Sequence, residues 1–252
     1  MSTTDTKKRR VIVGNRNVSE TMTGCEVTST KHTNYVSPLK RKIKRVFLIQ
    51  PPAMTNLLRT DMNPNVPLGI CYIGAMLERD GYEVAICDAF IEGWETEVPV
   101  SEDRMRVGLT YEEIEQKIRD FDPQVVGITS MFTMQRTIAH KMAEIARKID
   151  PKIITIMGGA HPTSAPEMVM EDPDVDFIVL AEGDNAITPL LKTIENGGNL
   201  VDLDGICFRD DDAEMIYLKK TTLVNDLDSL PFPARHLVPM EKYFAAGVRH
   251  GG

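Results

Sequence analysis

Five short stretches carry side chains suited to holding a large ligand, and each follows a strand-like apolar run. They are Gln50-Pro51-Pro52, Asp88, Thr129-Ser130, Gly158-Gly159-Ala160-His161-Pro162 and Glu182-Gly183-Asp184. Gly158 and Gly159 remove side chains where a flat or bulky ligand must touch backbone, and Thr129 and Ser130 offer hydroxyls that both donate and accept. That equipment suits a cofactor bearing amide or phosphate groups. Tight turns of an α/β sheet also need glycine and serine whatever they bind, so the combination carries more weight than any member. No GxGxxG follows the first apolar run, which makes dinucleotide binding a poor fit, and the absence of GxxxxGKS/T excludes a P-loop. A phosphoryl-acceptor domain needs clustered acids at the first strand tip, where Gln50 and two prolines stand instead. His161 beside Pro162 reads first as a loop residue capping backbone groups. No residue takes a catalytic acid, base or nucleophile role.

The elements that must position these residues alternate between strand and helix. Val46–Gln50 is a continuous apolar run of the kind buried on both faces. A long loop, Ala53 to Val66, leads to a helix opened by Pro67 and stopped by Gly81, in which Gly69 and Gly74 allow close approach. Glu83–Cys87 is the second strand, and a polar insertion from Ala89 to Leu109 follows it. Thr110 and Glu113 form a capping box ahead of Ile114, Ile118 and Phe121 at helical spacing. Val125–Ile128 is the third strand, and the next helix puts Ile138, Met142, Ile145 and Ile149 on one stripe. Ile153–Met157 is the fourth strand; Ser164-Ala165-Pro166-Glu167 reads as a second capping box. Phe177–Leu180 is the fifth, and a last helix carrying Ile187, Leu190, Leu191 and Ile194 stops at Gly197-Gly198. Five β/α units predict an α/β fold: a doubly wound five-stranded parallel sheet, Rossmann-like with flavodoxin-type order, with its ligand across the strand tips. Gly205–Arg209 and Met215–Leu218, around Asp210-Asp211-Asp212, predict a β-hairpin extension. The expected organisation is a poorly ordered basic tail (1–42), the Rossmann-like domain (43–200), the hairpin (201–225) and an extended linker (226–252).

Composition bounds the function. The chain has 252 residues, of which 42% are hydrophobic and 26% charged, enough for a substantial core. Its net charge is −8, although residues 1–42 carry nine Lys/Arg against three acids, so the body is markedly acidic. An acidic body argues against nucleic acid as the main partner. No apolar stretch approaches the roughly 20 residues of a transmembrane helix. Cys25, Cys71, Cys87 and Cys207 lie too far apart for a metal-ligand spacing, which predicts a cytoplasmic protein with reduced thiols and no metal site of its own.

Taken as an ordered series, Pro51-Pro52, Pro67-Leu68-Gly69, Gly81-Tyr82-Glu83-Val84 leading to Asp88, Val126-Gly127-Ile128-Thr129-Ser130, Gly158-Gly159-Ala160-His161-Pro162 and Glu182-Gly183-Asp184 resemble the N-terminal cobalamin-binding domain of cobalamin-dependent radical SAM enzymes. Asp228-Ser229-Leu230-Pro231-Phe232-Pro233-Ala234-Arg235 looks like the linker those enzymes place before their catalytic barrel, so the resemblance covers about residues 44–245. It implies cobalamin as the cofactor, with Pro67, Leu68, Gly69, Thr129, Ser130, Gly158, Gly159, His161, Glu182 and Gly183 at its site. The Asp-x-His-x-x-Gly of histidine-ligating cobalamin domains is absent; the resemblance therefore implies that the cofactor's own base is displaced and no histidine replaces it. CxxxCxxC is absent too, so the [4Fe-4S] cluster and S-adenosylmethionine are expected only in a barrel missing from this chain, reached in cis or in trans. The expectation is the cofactor-binding part of a larger enzyme for methyl transfer or related radical chemistry, incomplete as a catalyst alone. Three other readings stay open: a stand-alone cobalamin carrier or sensor, a nucleotide-sugar-binding α/β transferase domain that sets phosphate on Gly158-Gly159, and a degenerate domain that keeps the fold and binds nothing.

Overall fold

The computed structural model describes residues 35–58 and 64–247. The basic cluster Lys7–Arg10, Cys25 and most of the expected tail lie outside the described residues.

The sheet begins with β1 (Arg45–Gln50), whose apolar run is continuous because both of its faces are covered. Val46 and Leu48 join one core cluster, and Phe47 and Ile49 join the other. Beside β1 lie β3 (Glu83–Asp88) and β6 (Val125–Thr129), followed by β7 (Ile154–Gly158) and β8 (Phe177–Val179), all parallel. The five stand in the spatial order β3-β1-β6-β7-β8, which is the flavodoxin-type order. After β1 the chain steps outward to β3 and then returns to β6, so the crevice of the switch point opens over the tips of β1 and β6.

Helices cover both faces. Helix α1 (Leu68–Arg79) and helix α7 (Ile187–Asn196) pack over the cluster that holds Leu48; α3 (Tyr111–Phe121) and α4 (Arg136–Ile149) pack over the one that holds Phe47. The Thr110–Glu113 capping box forms as expected, each side chain bonding the other residue's backbone N–H. The second expected box does not form. Ser164 ends the short helix α5 (Ala160–Ser164), and its hydroxyl donates back to the Ala160 carbonyl at 2.8 Å instead of capping α6 (Pro166–Met170).

Three regions carry more structure than their composition suggested. The loop after β1 and the polar insertion after β3 meet in a three-stranded antiparallel sheet of β2 (Ala53–Asn56), β5 (Arg104–Val107) and β4 (Glu97–Pro99), beyond a short helix α2 (Ala89–Glu92). The hairpin β9 (Ile206–Arg209) and β10 (Met215–Leu218) pairs antiparallel with β8, so the main sheet is mixed and has seven strands. The expected tail and linker both pack on the body where they are described. Val36 bridges to Asn199, and the Tyr35 ring stacks on Phe208 at 5.0 Å. The Ala234 N–H donates to the Cys71 carbonyl at 3.0 Å, and Tyr243 of α8 (Met240–Ala245) is fully buried. No helix among the described residues is long and apolar enough to cross a membrane.

Candidate functional site

Two adjoining cavities of about 380 and 550 Å³ open at the carboxyl edge of the parallel strands, and both are lined by Gly69, Ile70, Thr129 and Met131. The first lies over the switch point. Gln50, Asp88 and Thr129 supply its strand tips, the N-terminal turn of α1 with Pro67 supplies one wall, and Ser130, Met131 and Phe132 supply the other. The second is a slot running down between the sheet face and helices α1 and α7, with Leu48, Gly127, Ile156 and Val179 on the sheet side and Ile73 and Ile187 opposite.

Nine of the ten residues expected at the site line these cavities. Pro67, Leu68, Gly69, Thr129 and Ser130 surround the first, while Gly158, Gly159, Glu182 and Gly183 surround the second with Gly69 and Thr129. His161 is the exception. It lines neither cavity, is only 1% exposed, and sets its Nδ1 3.1 Å from the Thr133 hydroxyl behind the loop that follows β6. Burial pulls its imidazole below the ordinary pKa. Its contribution is to backbone geometry: the His161 N–H donates to the Ser130 carbonyl at 3.0 Å, and the Ser130 N–H donates to the Gly158 carbonyl at 2.8 Å.

The glycines divide into three kinds. Gly159 has φ +110, and a Cβ there would sit 2.7 Å from the Ser130 carbonyl oxygen, so the fold itself demands glycine. A Cβ on Gly69 would meet nothing within 4 Å, and one on Gly158 would find its nearest neighbour, the Val179 carbonyl oxygen, at 3.7 Å. Protein packing requires neither of these two, and both face the cavities. Gly127 is different again: a Cβ there would press on Leu48 Cδ2 at 2.7 Å, so the Leu48 side chain occupies the place a larger residue would take, and both residues line the slot.

Several polar groups at the cavities are committed within the protein. Thr163 Oγ1 donates to the Gly159 carbonyl at 2.8 Å and accepts the Ala181 N–H at 2.9 Å; Glu182 Oε2 accepts the Val224 N–H at 3.0 Å. Ser130 Oγ is buried and has no partner in the protein. Asp88 is buried at the edge of the first cavity, where it accepts the Ile91 N–H at 3.2 Å and the Tyr243 hydroxyl. Burial pushes its carboxyl up to about 6, against the pull of those two hydrogen bonds. No lysine or arginine among the described residues lines either cavity.

Sequence reasoning missed several lining residues. Met131 and Phe132 are 51% and 62% exposed, and with Leu68 they form an apolar rim; two large apolar residues directly after a Thr-Ser strand tip were the available signal. Gly127 carries a weaker one, a glycine inside an otherwise apolar strand.

The B12 binding domain family model matches residues 57–191. Cytidylyl-2-hydroxyethylphosphonate methyltransferase of Streptomyces wedmorensis is 35% identical over 232 residues, which cover 82% of this chain and 43% of that enzyme. Anaerobic magnesium-protoporphyrin IX monomethyl ester cyclase of Rubrivivax gelatinosus is 28% identical over 70% of this chain and 30% of its own length. The chain thus spans less than half the length of these curated relatives. Among solved structures, the cobalamin-dependent S-adenosylmethionine radical enzyme OxsB, with aqua-cobalamin and S-adenosylmethionine bound, superposes with a TM-score of 0.62 at 17% identity, over 81% of this chain and 25% of that one. The fold order, the cavities at the switch point and a family match across more than half of the sequence agree: this chain belongs to the B12-binding domain family.

Proposed function

We propose that the first cavity lies beneath the corrin ring of cobalamin, that the slot receives the nucleotide tail, and that the domain presents the corrin's outer face to a radical SAM barrel. The observation that carries this reading is the pair of glycines, Gly69 and Gly158, whose missing side chains leave open space at the cavities that no protein atom needs. The residues present fit the cofactor in two further ways. Ser130 Oγ, buried without a protein partner, is available to a polar group of the ligand, and Leu68, Met131 and Phe132 offer apolar contact to the broad face of a corrin.

Bound cobalamin supplies a cobalt centre able to carry a methyl group or to undergo one-electron chemistry. The chain's own residues bind and orient it: Pro67-Leu68-Gly69 shape one wall, Thr129 and Ser130 the opposite one, and Gly158, Gly159, Glu182 and Gly183 line the slot. His161 holds the loop that carries Ser130 and lines neither cavity, so we assign no histidine to cobalt. The barrel with its [4Fe-4S] cluster and S-adenosylmethionine acts in cis or in trans, and methyl transfer is the reaction favoured by the resemblance to the Streptomyces enzyme. The nucleotide-sugar reading loses support, because a diphosphate would meet no lysine or arginine of the described residues at either cavity.

The test is to mix the purified chain with hydroxocobalamin and pass it through gel filtration while recording visible absorption. Corrin co-eluting with folded protein at close to one per chain is the expected result. Folded protein that emerges colourless would overturn the proposal.

A further inference from the structure

The slot is built in two layers. At the strand tips, Thr129, Gly158 and Val179 are neighbours in register across β6, β7 and β8. Two residues deeper, about 6–7 Å down the strands, Leu48, Gly127 and Ile156 are neighbours in register across β1, β6 and β7. The mouth holds every polar side chain of the slot: Thr129, Thr163, Ser164, Glu182 and Asp184. The floor holds hydrocarbon, with Leu48 and Ile156 on the sheet side and Ile73 and Ile187 on the helix side. Strand amides at that depth are committed to the sheet, and of the mouth groups Thr163 Oγ1 already both donates and accepts within the protein.

We infer that this slot selects the lower base of its corrinoid, taking a dimethylbenzimidazole tail and rejecting an adenine one. The inference rests on the proposal that the slot receives the tail. A tail reaches the slot through its ribose and phosphate, which tie it to the corrin at the mouth, so the edge of the base remote from the ribose goes deepest. In dimethylbenzimidazole that edge carries two methyl groups, which meet Leu48, Ile73, Ile156 and Ile187. In adenine the same edge carries an amine and ring nitrogens, which lose water and find no donor or acceptor on the floor. The discrimination comes from an apolar floor with nothing to satisfy a buried polar edge.

The experiment titrates the full chain in parallel with cobalamin, with its analogue carrying adenine as lower base, and with cobinamide, which has no tail, following visible absorption. The adenine form is expected to bind weaker than cobalamin by about tenfold or more, the cost of one buried unpaired polar group. A smaller or reversed difference overturns the inference, and because both corrinoids then still bind, the cobalamin proposal survives it. Retention of none of the three removes that proposal and this inference with it.

Discussion

Gly158 and Gly159 are adjacent, yet they should fail in opposite ways when substituted. At Gly158 a methyl group finds its nearest protein atom at 3.7 Å, ordinary contact, in a strand whose backbone any residue adopts. Gly158→Ala should therefore change stability by less than about 1 kcal/mol, and the lower entropy of its unfolded chain favours the stable side. Gly158→Val extends the side chain into the space we assign to the cofactor and should weaken cobalamin binding at least tenfold, which is about 1.4 kcal/mol. Gly159 has φ +110 and ψ −173, a region essentially closed to other residues, and a Cβ there meets the Ser130 carbonyl oxygen at 2.7 Å. Backbone strain and the clash together should cost Gly159→Ala about 3 kcal/mol or more. Urea unfolding of the cofactor-free proteins reads the stabilities, and a hydroxocobalamin titration reads the affinities. Wild-type affinity in a folded Gly158→Val protein would refute the assignment of that space to the cofactor. Wild-type stability in Gly159→Ala would refute the backbone argument.

Asp88 makes stability depend on pH. Its folded-state pKa of about 6 stands above the ordinary 3.8, so between about pH 4 and pH 6 the folded chain keeps a proton that the unfolded chain has released. Stability should fall as pH rises through that window, by up to about 3 kcal/mol, and Asp88→Asn should remove that fall; urea midpoints across the range check both. Ser130→Ala removes a hydroxyl with no protein partner, so it should leave stability within about 1 kcal/mol of wild type while lowering cobalamin affinity severalfold, as titration would record.

The parallel sheet was legible because its strands are buried on both faces and its helices are striped and capped: β1 reads as unbroken hydrocarbon, and Thr110 with Glu113 announces α3. The tips were legible for the same reason, since polar or small residues interrupt apolar runs at Asp88, Thr129 and Gly158. The small sheet was not. Its strands are three or four residues long, and Arg104-Met105-Arg106-Val107 looks polar although Arg106 is buried, stacked 3.8 Å over the Tyr111 ring. Ser164 misled because a local capping pattern cannot show that the residue already belongs to a preceding helical turn. The prolines of the linker signal an extended chain and carry no local sign that Tyr243 is buried against Asp88. His161 was drawn to the site by its position after two glycines, and the tight turn at Gly159 carries it behind the loop instead. The slot escaped notice because its depth is set by register across four strands, which no local spacing records.

We propose that cobalamin lies across these strand tips with its own base displaced and no histidine in its place. Electron paramagnetic resonance of the chain loaded with cobalt(II) cobalamin tests it most directly, because a nitrogen bound axially to cobalt splits the signal. The expected result is a protein-bound signal free of nitrogen splitting, unchanged in His161→Gln. A bound signal split by nitrogen, and lost in that variant, would contradict it.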